Sequence, residues 1–174
     1  MASGALGVGL PRAVNCSGGQ LWYHDDHETP DTQVATFEYD DVYIMYEIRL
    51  WTPYQLEEHD NGNIFYGDEG TVSMGRKGWR VTFKDGSRGP GGGHDDKSHI
   101  NNFLKAVRSQ DPSTLAAGVL DGHHSSALYH AANIAIRVGR RLNIDTATER
   151  FVDDPDGIGD RRRARLPAPP PRRR

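Results

Sequence analysis

At 174 residues, 36% of them hydrophobic, the chain is long enough for one domain with a real core and too short to expect two. Its net charge of −3 is unevenly spread: residues 1–160 hold all 24 Asp and Glu, while Arg161–Arg174 holds seven of the 21 basic residues and no acid. An acidic body argues against nucleic acid as a partner, no apolar run approaches the ~20 residues that span a bilayer, and the single cysteine, Cys16, excludes an intrachain disulfide.

The first twelve residues contain Gly4, Gly7, Gly9 and Pro11 and are expected to form an irregular lead-in. Met1–Arg12 has no charged region ahead of its short apolar stretch, which argues against a secretory signal; with the lone thiol, it makes the cytoplasm the expected location. Ala13–Gly18 is predicted to be a short strand, and Leu21–Asp31 a polar loop around His24-Asp25-Asp26-His27-Glu28. Two alternating runs follow, Gln33–Tyr39 and Val42–Trp51. In the second, Val42, Ile44, Tyr46, Ile48 and Leu50 share one apolar face, and Tyr43, Met45, Glu47, Arg49 and Trp51 share the other. Period-two alternation is the mark of a half-buried strand, so these runs around Asp40-Asp41 predict an antiparallel hairpin.

Asn63–Tyr66, Thr71–Met74 and Trp79–Phe83 are the remaining strand candidates, and Lys84–Gly93, rich in glycine, is expected to be a flexible connection. Helical signals begin after it. Asp95 or Asp96 can cap a helix whose residues Ile100, Phe103, Leu104 and Val107 form a stripe expected to be buried, and Asp111-Pro112 ends it. A second helix, from about Gly122 to Arg140, is expected to bury Ala127, Leu128, Ala131, Ile134, Ala135 and Val138, with Arg137, Arg140 and Arg141 suiting its C-terminal end. The predicted fold class is α+β: an open, mainly antiparallel sheet followed by two principal helices packed on one face. Residues 13–152 form the expected domain, and residues 153–174, rich in Pro and Arg, are expected to be a disordered tail.

The residues reveal no complete catalytic site. Gly4, Gly7 and Gly9 lack the preceding strand and the spacing of a dinucleotide-binding loop. His24 and His27, with Asp25, Asp26 and Glu28, have the chemistry of metal ligands, but no second spaced pair completes a set, so a solvated loop is preferred. His123 and His124 diverge by about 100° on a helix, and His99 and His130 are expected to be packed or hydrogen-bonded. Cys16 is expected to be a small buried thiol. The candidate functional surface is the mixed face of the long strand, with Tyr43, Glu47, Arg49 and Trp51, meeting either a ligand or, preferably, a second subunit.

An ordered series of motifs carries a resemblance. Glu28-Thr29-Pro30-Asp31-Thr32 leads into Gln33–Tyr39; then come Phe65-Tyr66-Gly67, Glu69-Gly70-Thr71, His99, Asn102-Phe103-Leu104, Val107-Arg108, Gly122-His123 and His130-Ala131-Ala132-Asn133-Ile134-Ala135. Over roughly Leu6 to Phe151 this resembles the carboxy-terminal region of the Gfo/Idh/MocA oxidoreductases, named for glucose–fructose oxidoreductase and inositol dehydrogenase. The resemblance implies an α+β domain that binds substrate and builds homo-oligomers through a large open sheet. It also implies a separate Rossmann domain for NAD or NADP, with hydride transfer on sugars or polyols. The family's catalytic Asp and His precede the segment that Leu6–Pro11 resembles, and its catalytic Lys lies further upstream, so no catalytic or cofactor-binding residue carries over. The implied role is a substrate-binding and oligomerisation domain, inactive and binding no cofactor alone. The alternatives are a non-enzymatic, sheet-mediated assembly module and, last, a metal-binding protein built on His24 and His27. Beyond Asp154 the composition departs from the family's usual ending, as a frame change near Pro155 would produce.

Overall fold

Alternation in the sequence becomes a sheet where successive strands find the register that keeps one apolar face together. The structure, a computed structural model, describes residues 2–52, 54–93 and 98–152. Strands β2 (Thr32–Glu38) and β3 (Tyr43–Arg49) form the expected hairpin, with Phe37 opposite Ile44 and Ala35 opposite Tyr46. The turn is closed by the Tyr39 amide donating to the Val42 carbonyl at 3.0 Å. Strand β1 (Ala13–Gly19) adds to β2 with Cys16 opposite Ala35.

The expected domain over 13–152 is organised as two compact units. One comprises the described residues of Met1–Trp51 and Ala117–Arg174, the other those of Thr52–Ala116. The first contains helix α1 (Ala2–Leu6), so part of the expected irregular lead-in is helical. It also contains two strands the sequence pattern does not announce, β8 (Leu142–Asp145) and β9 (Arg150–Val152). Strand order is β3-β2-β1-β8-β9, and every neighbouring pair is antiparallel.

Helix α3 (Val119–Val138) packs on one face of this sheet. Leu128, Ala131, Ala132 and Ala135 recur at helical spacing and meet Val14, Cys16, Ala35, Phe37 and Leu142. Alanine at three of the four helix positions lets the backbone approach the strands closely. Ala127, Ile134 and Val138 are half-buried around that centre. The helix starts a turn earlier than expected, where the Asp121 carboxylate accepts the Gly118 amide at 3.0 Å. It stops at Gly139, whose φ of 67° is a left-handed conformation that costs glycine little. Arg141 therefore lies beyond the helix and pairs with Glu38 at 2.7 Å.

The second unit is a four-stranded antiparallel meander, β4 (Gly62–Gly67), β5 (Gly70–Gly75), β6 (Gly78–Phe83) and β7 (Arg88–Gly92). Strand β7 falls within the segment expected to be a flexible connection; its glycines pair through the backbone, with Gly92 opposite Trp79. Helix α2 (His99–Ser109) follows, its N-cap Ser98 accepting the Asn101 amide at 3.3 Å. The proposed caps Asp95 and Asp96 lie outside the described residues, as does the expected tail, 153–174. The helix is tied to a 3-10 turn, Pro112–Thr114, by Asn102, whose side chain donates to Thr114 O at 2.7 Å and accepts from Ala116 N at 2.8 Å. Its apolar stripe is not buried as expected: Ile100, Phe103, Leu104 and Val107 are exposed, and Ala106 alone in the helix is buried. The α+β class and the antiparallel strands are as expected, but there are two sheets, and α3 is the helix that covers the five-stranded one.

Candidate functional site

The two faces of the five-stranded sheet differ in chemistry. Tyr43, Met45 and Glu47 of β3 project from the face opposite α3 and are exposed, beside Val34 and Thr36 of β2. Glu47 and Arg49, two residues apart on that face, form an ion pair with N–O distance 2.8 Å. Trp51 donates its indole N–H to the Thr32 hydroxyl at 2.9 Å and stacks on Trp22, with ring centroids 5.4 Å apart. Thus Glu47, Arg49 and Trp51 gather at one end of the strand, while Tyr43 sits at the other end, opposite Glu38. Arg141 bonds to the Glu38 carboxylate and holds its pKa below the ordinary range, with Arg12 close by.

The Trp22 loop is fixed by Asp31, a side chain the sequence motifs do not single out for function. Its buried carboxylate accepts the backbone amides of Leu21, Trp22 and Tyr23 at 3.0, 2.8 and 2.8 Å, and the Thr32 hydroxyl at 2.8 Å. Burial by itself would raise its pKa; those hydrogen bonds outweigh burial and lower it.

On the α3 side, β2, β3 and α3 enclose a shallow pocket of about 170 Å³. Gln33 reaches inward from β2, 6% exposed, and Asn133 comes from α3. The Gln33 amide donates to the Cys16 sulfur at 3.0 Å and to Asn133 Oδ1 at 3.5 Å. Tyr46 and Tyr129 meet edge to face, centroids 5.3 Å apart, and Ile48, Leu50, Thr29 and Pro30 complete the wall. No carboxylate, amine, guanidinium or imidazole lines this pocket. Burial, with Tyr129 and Cys16 nearby, raises the Tyr46 pKa, and burial against the Gln33 hydrogen bond raises that of Cys16; both stay protonated near neutrality.

Sequence reasoning passes over Gln33 and Asn133 because neutral amides a hundred residues apart make no motif. Their signal is positional: Gln33 shares the inward register of Ala35 and Phe37, and Asn133 interrupts Ala131-Ala132 and Ile134-Ala135. The histidines form no site together. His27 pairs with Asp25 at 2.7 Å and His123 with Glu149 at 2.8 Å, whereas His99 and His130, expected to be packed, are exposed. Among the described residues no three His, Cys, Asp or Glu are grouped to hold a metal ion.

Residues 56–162 match the profile of the Gfo/Idh/MocA oxidoreductase family, C-terminal alpha/beta domain. The chain belongs to this family. The match begins within the second unit and runs past Pro155, beyond the point where composition alone suggested that family likeness ends. A comparison with curated protein sequences finds no match.

Solved structures agree on the fold of this Gfo/Idh/MocA domain. A protein from Thermotoga maritima assigned as an oxidoreductase superposes with a TM-score of 0.61 at 18% identity, over 76% of this chain and 40% of that one. The oxidoreductase-assigned yvaA protein of Bacillus subtilis gives 0.60 at 11% identity, over 83% and 48%. One from Klebsiella pneumoniae gives 0.57 at 11%, over 78% and 44%. The chain spans less than half the length of each of these proteins.

Proposed function

We propose that this domain is the substrate-binding and assembly half of an NAD(P)-dependent oxidoreductase acting on sugar- or polyol-like compounds. The observation that carries the reading is an oxidoreductase-family domain whose five-stranded sheet has α3 on one face and exposed Tyr43 and Met45 on the other. Exposed aromatic and methionine side chains beside a neutralised Glu47–Arg49 pair suit contact with a second copy of the sheet. Tyr43, Glu47, Arg49 and Trp51 are its proposed contact residues.

Hydride transfer is assigned to this domain only in company with a dinucleotide-binding domain. Gly4 lies inside α1 and Gly7 just after it, so these glycines do not join a strand to a helix N-terminus and make no pyrophosphate cradle. Among the described residues no helix is long and apolar enough to cross a membrane. A cytoplasmic location, where the Cys16 thiol stays reduced, is part of the same proposal.

Two measurements on the pure chain test this. Sedimentation equilibrium should show self-association that a Tyr43→Lys, Met45→Glu double variant abolishes; a strict monomer at high concentration removes the assembly role. Calorimetric titration with NAD and NADP should show no micromolar binding, and tight binding of either would overturn the division of labour.

A further inference from the structure

The pocket between β2, β3 and α3 has unused hydrogen-bonding capacity of a definite kind. Among the described residues, the Gln33 carbonyl oxygen, the Asn133 amide nitrogen and the Tyr46 and Tyr129 hydroxyls have no hydrogen-bond partner. Exchanging O and N on both amides leaves the count unchanged, since the Gln33–Asn133 contact always consumes one donor and one acceptor. The pair therefore offers one free donor and one free acceptor side by side, which matches two adjacent hydroxyl groups. Ile48, Leu50 and the two tyrosine rings supply an apolar wall for C–H bonds.

Size and charge narrow the ligand. A cavity of about 150 Å³ holds one six-membered ring, and this pocket, at about 170 Å³, is of that class. An anion would enter without a cation to receive it, because every lining residue is neutral.

We propose that this pocket binds an uncharged, single-ring polyhydroxy compound, a monosaccharide or cyclitol, with vicinal hydroxyls on the Gln33–Asn133 amide pair and its C–H face on Tyr46 and Tyr129. The proposal rests on the substrate class put forward above and adds the site, the ring-size limit and the neutrality of the ligand. Gln33 is the specificity-determining residue: Cys16 and Asn133 hold its amide, so its free oxygen is presented in one orientation.

The test is saturation-transfer NMR on the full chain, with myo-inositol and D-glucose in the millimolar range and D-glucuronate as the charged comparison. Transfer to ring C–H protons of a neutral probe is expected. A lost neutral hydrogen bond is worth about 1 kcal/mol, so Asn133→Ala and Tyr129→Phe should each weaken binding by roughly three- to tenfold. Neither substitution should shift the thermal unfolding midpoint appreciably, and glucuronate should give no transfer. Binding of a neutral probe that both folded variants retain in full would overturn the pocket while leaving the substrate class standing. Equal transfer to glucuronate would overturn the neutral-ligand argument. No transfer from either neutral probe to the folded wild-type chain would remove the pocket and the polyol substrate class together.

Discussion

Replacing Asp31 by alanine should destabilise the first unit and free the Trp22 loop at once. The carboxylate receives three backbone amides and one hydroxyl, all at 3.0 Å or less. Hydrogen bonds to a charged group contribute about 1.5–3 kcal/mol each when buried, but bonds sharing one acceptor are not additive. Leu21, Trp22 and Tyr23 are exposed, so water can reach their amides once the carboxylate is gone. A loss of about 2–4 kcal/mol is expected on that reasoning, from the low end of four bonds with partial resolvation. Because folding lowers the Asp31 pKa, its stabilisation is complete above the unfolded value and is lost as pH falls through the folded one. Urea unfolding at neutral pH and in steps down through the acid range would measure both effects. Near-ultraviolet circular dichroism would follow the Trp22–Trp51 stack. A loss below about 1 kcal/mol, less than one ordinary hydrogen bond, together with an unchanged acid profile, would refute the anchoring role.

Three further outcomes follow from the packing. Phe37, 2% exposed beneath α3, should cost about 3–5 kcal/mol when truncated to alanine, read by the shift in urea midpoint at constant slope. Gly139→Ala meets no atom within 4 Å, so its effect should be the strain of a left-handed backbone alone, about 1 kcal/mol; a neutral result in thermal unfolding would contradict the assigned helix end. Cys16 is buried with a raised pKa and should react with a disulfide reagent orders of magnitude more slowly in the folded chain than in denaturant.

What was legible in the sequence follows from how much side-chain pattern each element carries. Strands β2 and β3 have seven residues each, enough for the alternation to fix both register and faces. Strands β8 and β9 have four and three, too few for a period to emerge, although Leu142 is among the most buried residues. Strand β7, Arg-Gly-Pro-Gly-Gly, owes its place to backbone hydrogen bonds, which leave little trace in residue type. The stripe on α2 announced a helix correctly, but periodicity cannot say what lies against it. Tyr43, Glu47, Arg49 and Trp51 could be assigned to one face because they share a strand. Gln33 and Asn133 could not be joined, since their meeting depends on how α3 lies across the sheet.

The pairing of β1 with β8 also sets an order of events during synthesis. Val14 meets Leu142, so the first unit must wait for more than a hundred further residues before β1 acquires its second neighbour. The meander of β4 to β7, by contrast, is contiguous and needs only adjacent hairpins. On a ribosome the middle of the chain can form its strand pairs while the first sheet is still open, with β1 holding an unpaired edge until α3 and β8 emerge. The first unit's folding rate should therefore be governed by loop closure over long sequence separation, and that open edge is where a stalled or shortened chain would aggregate.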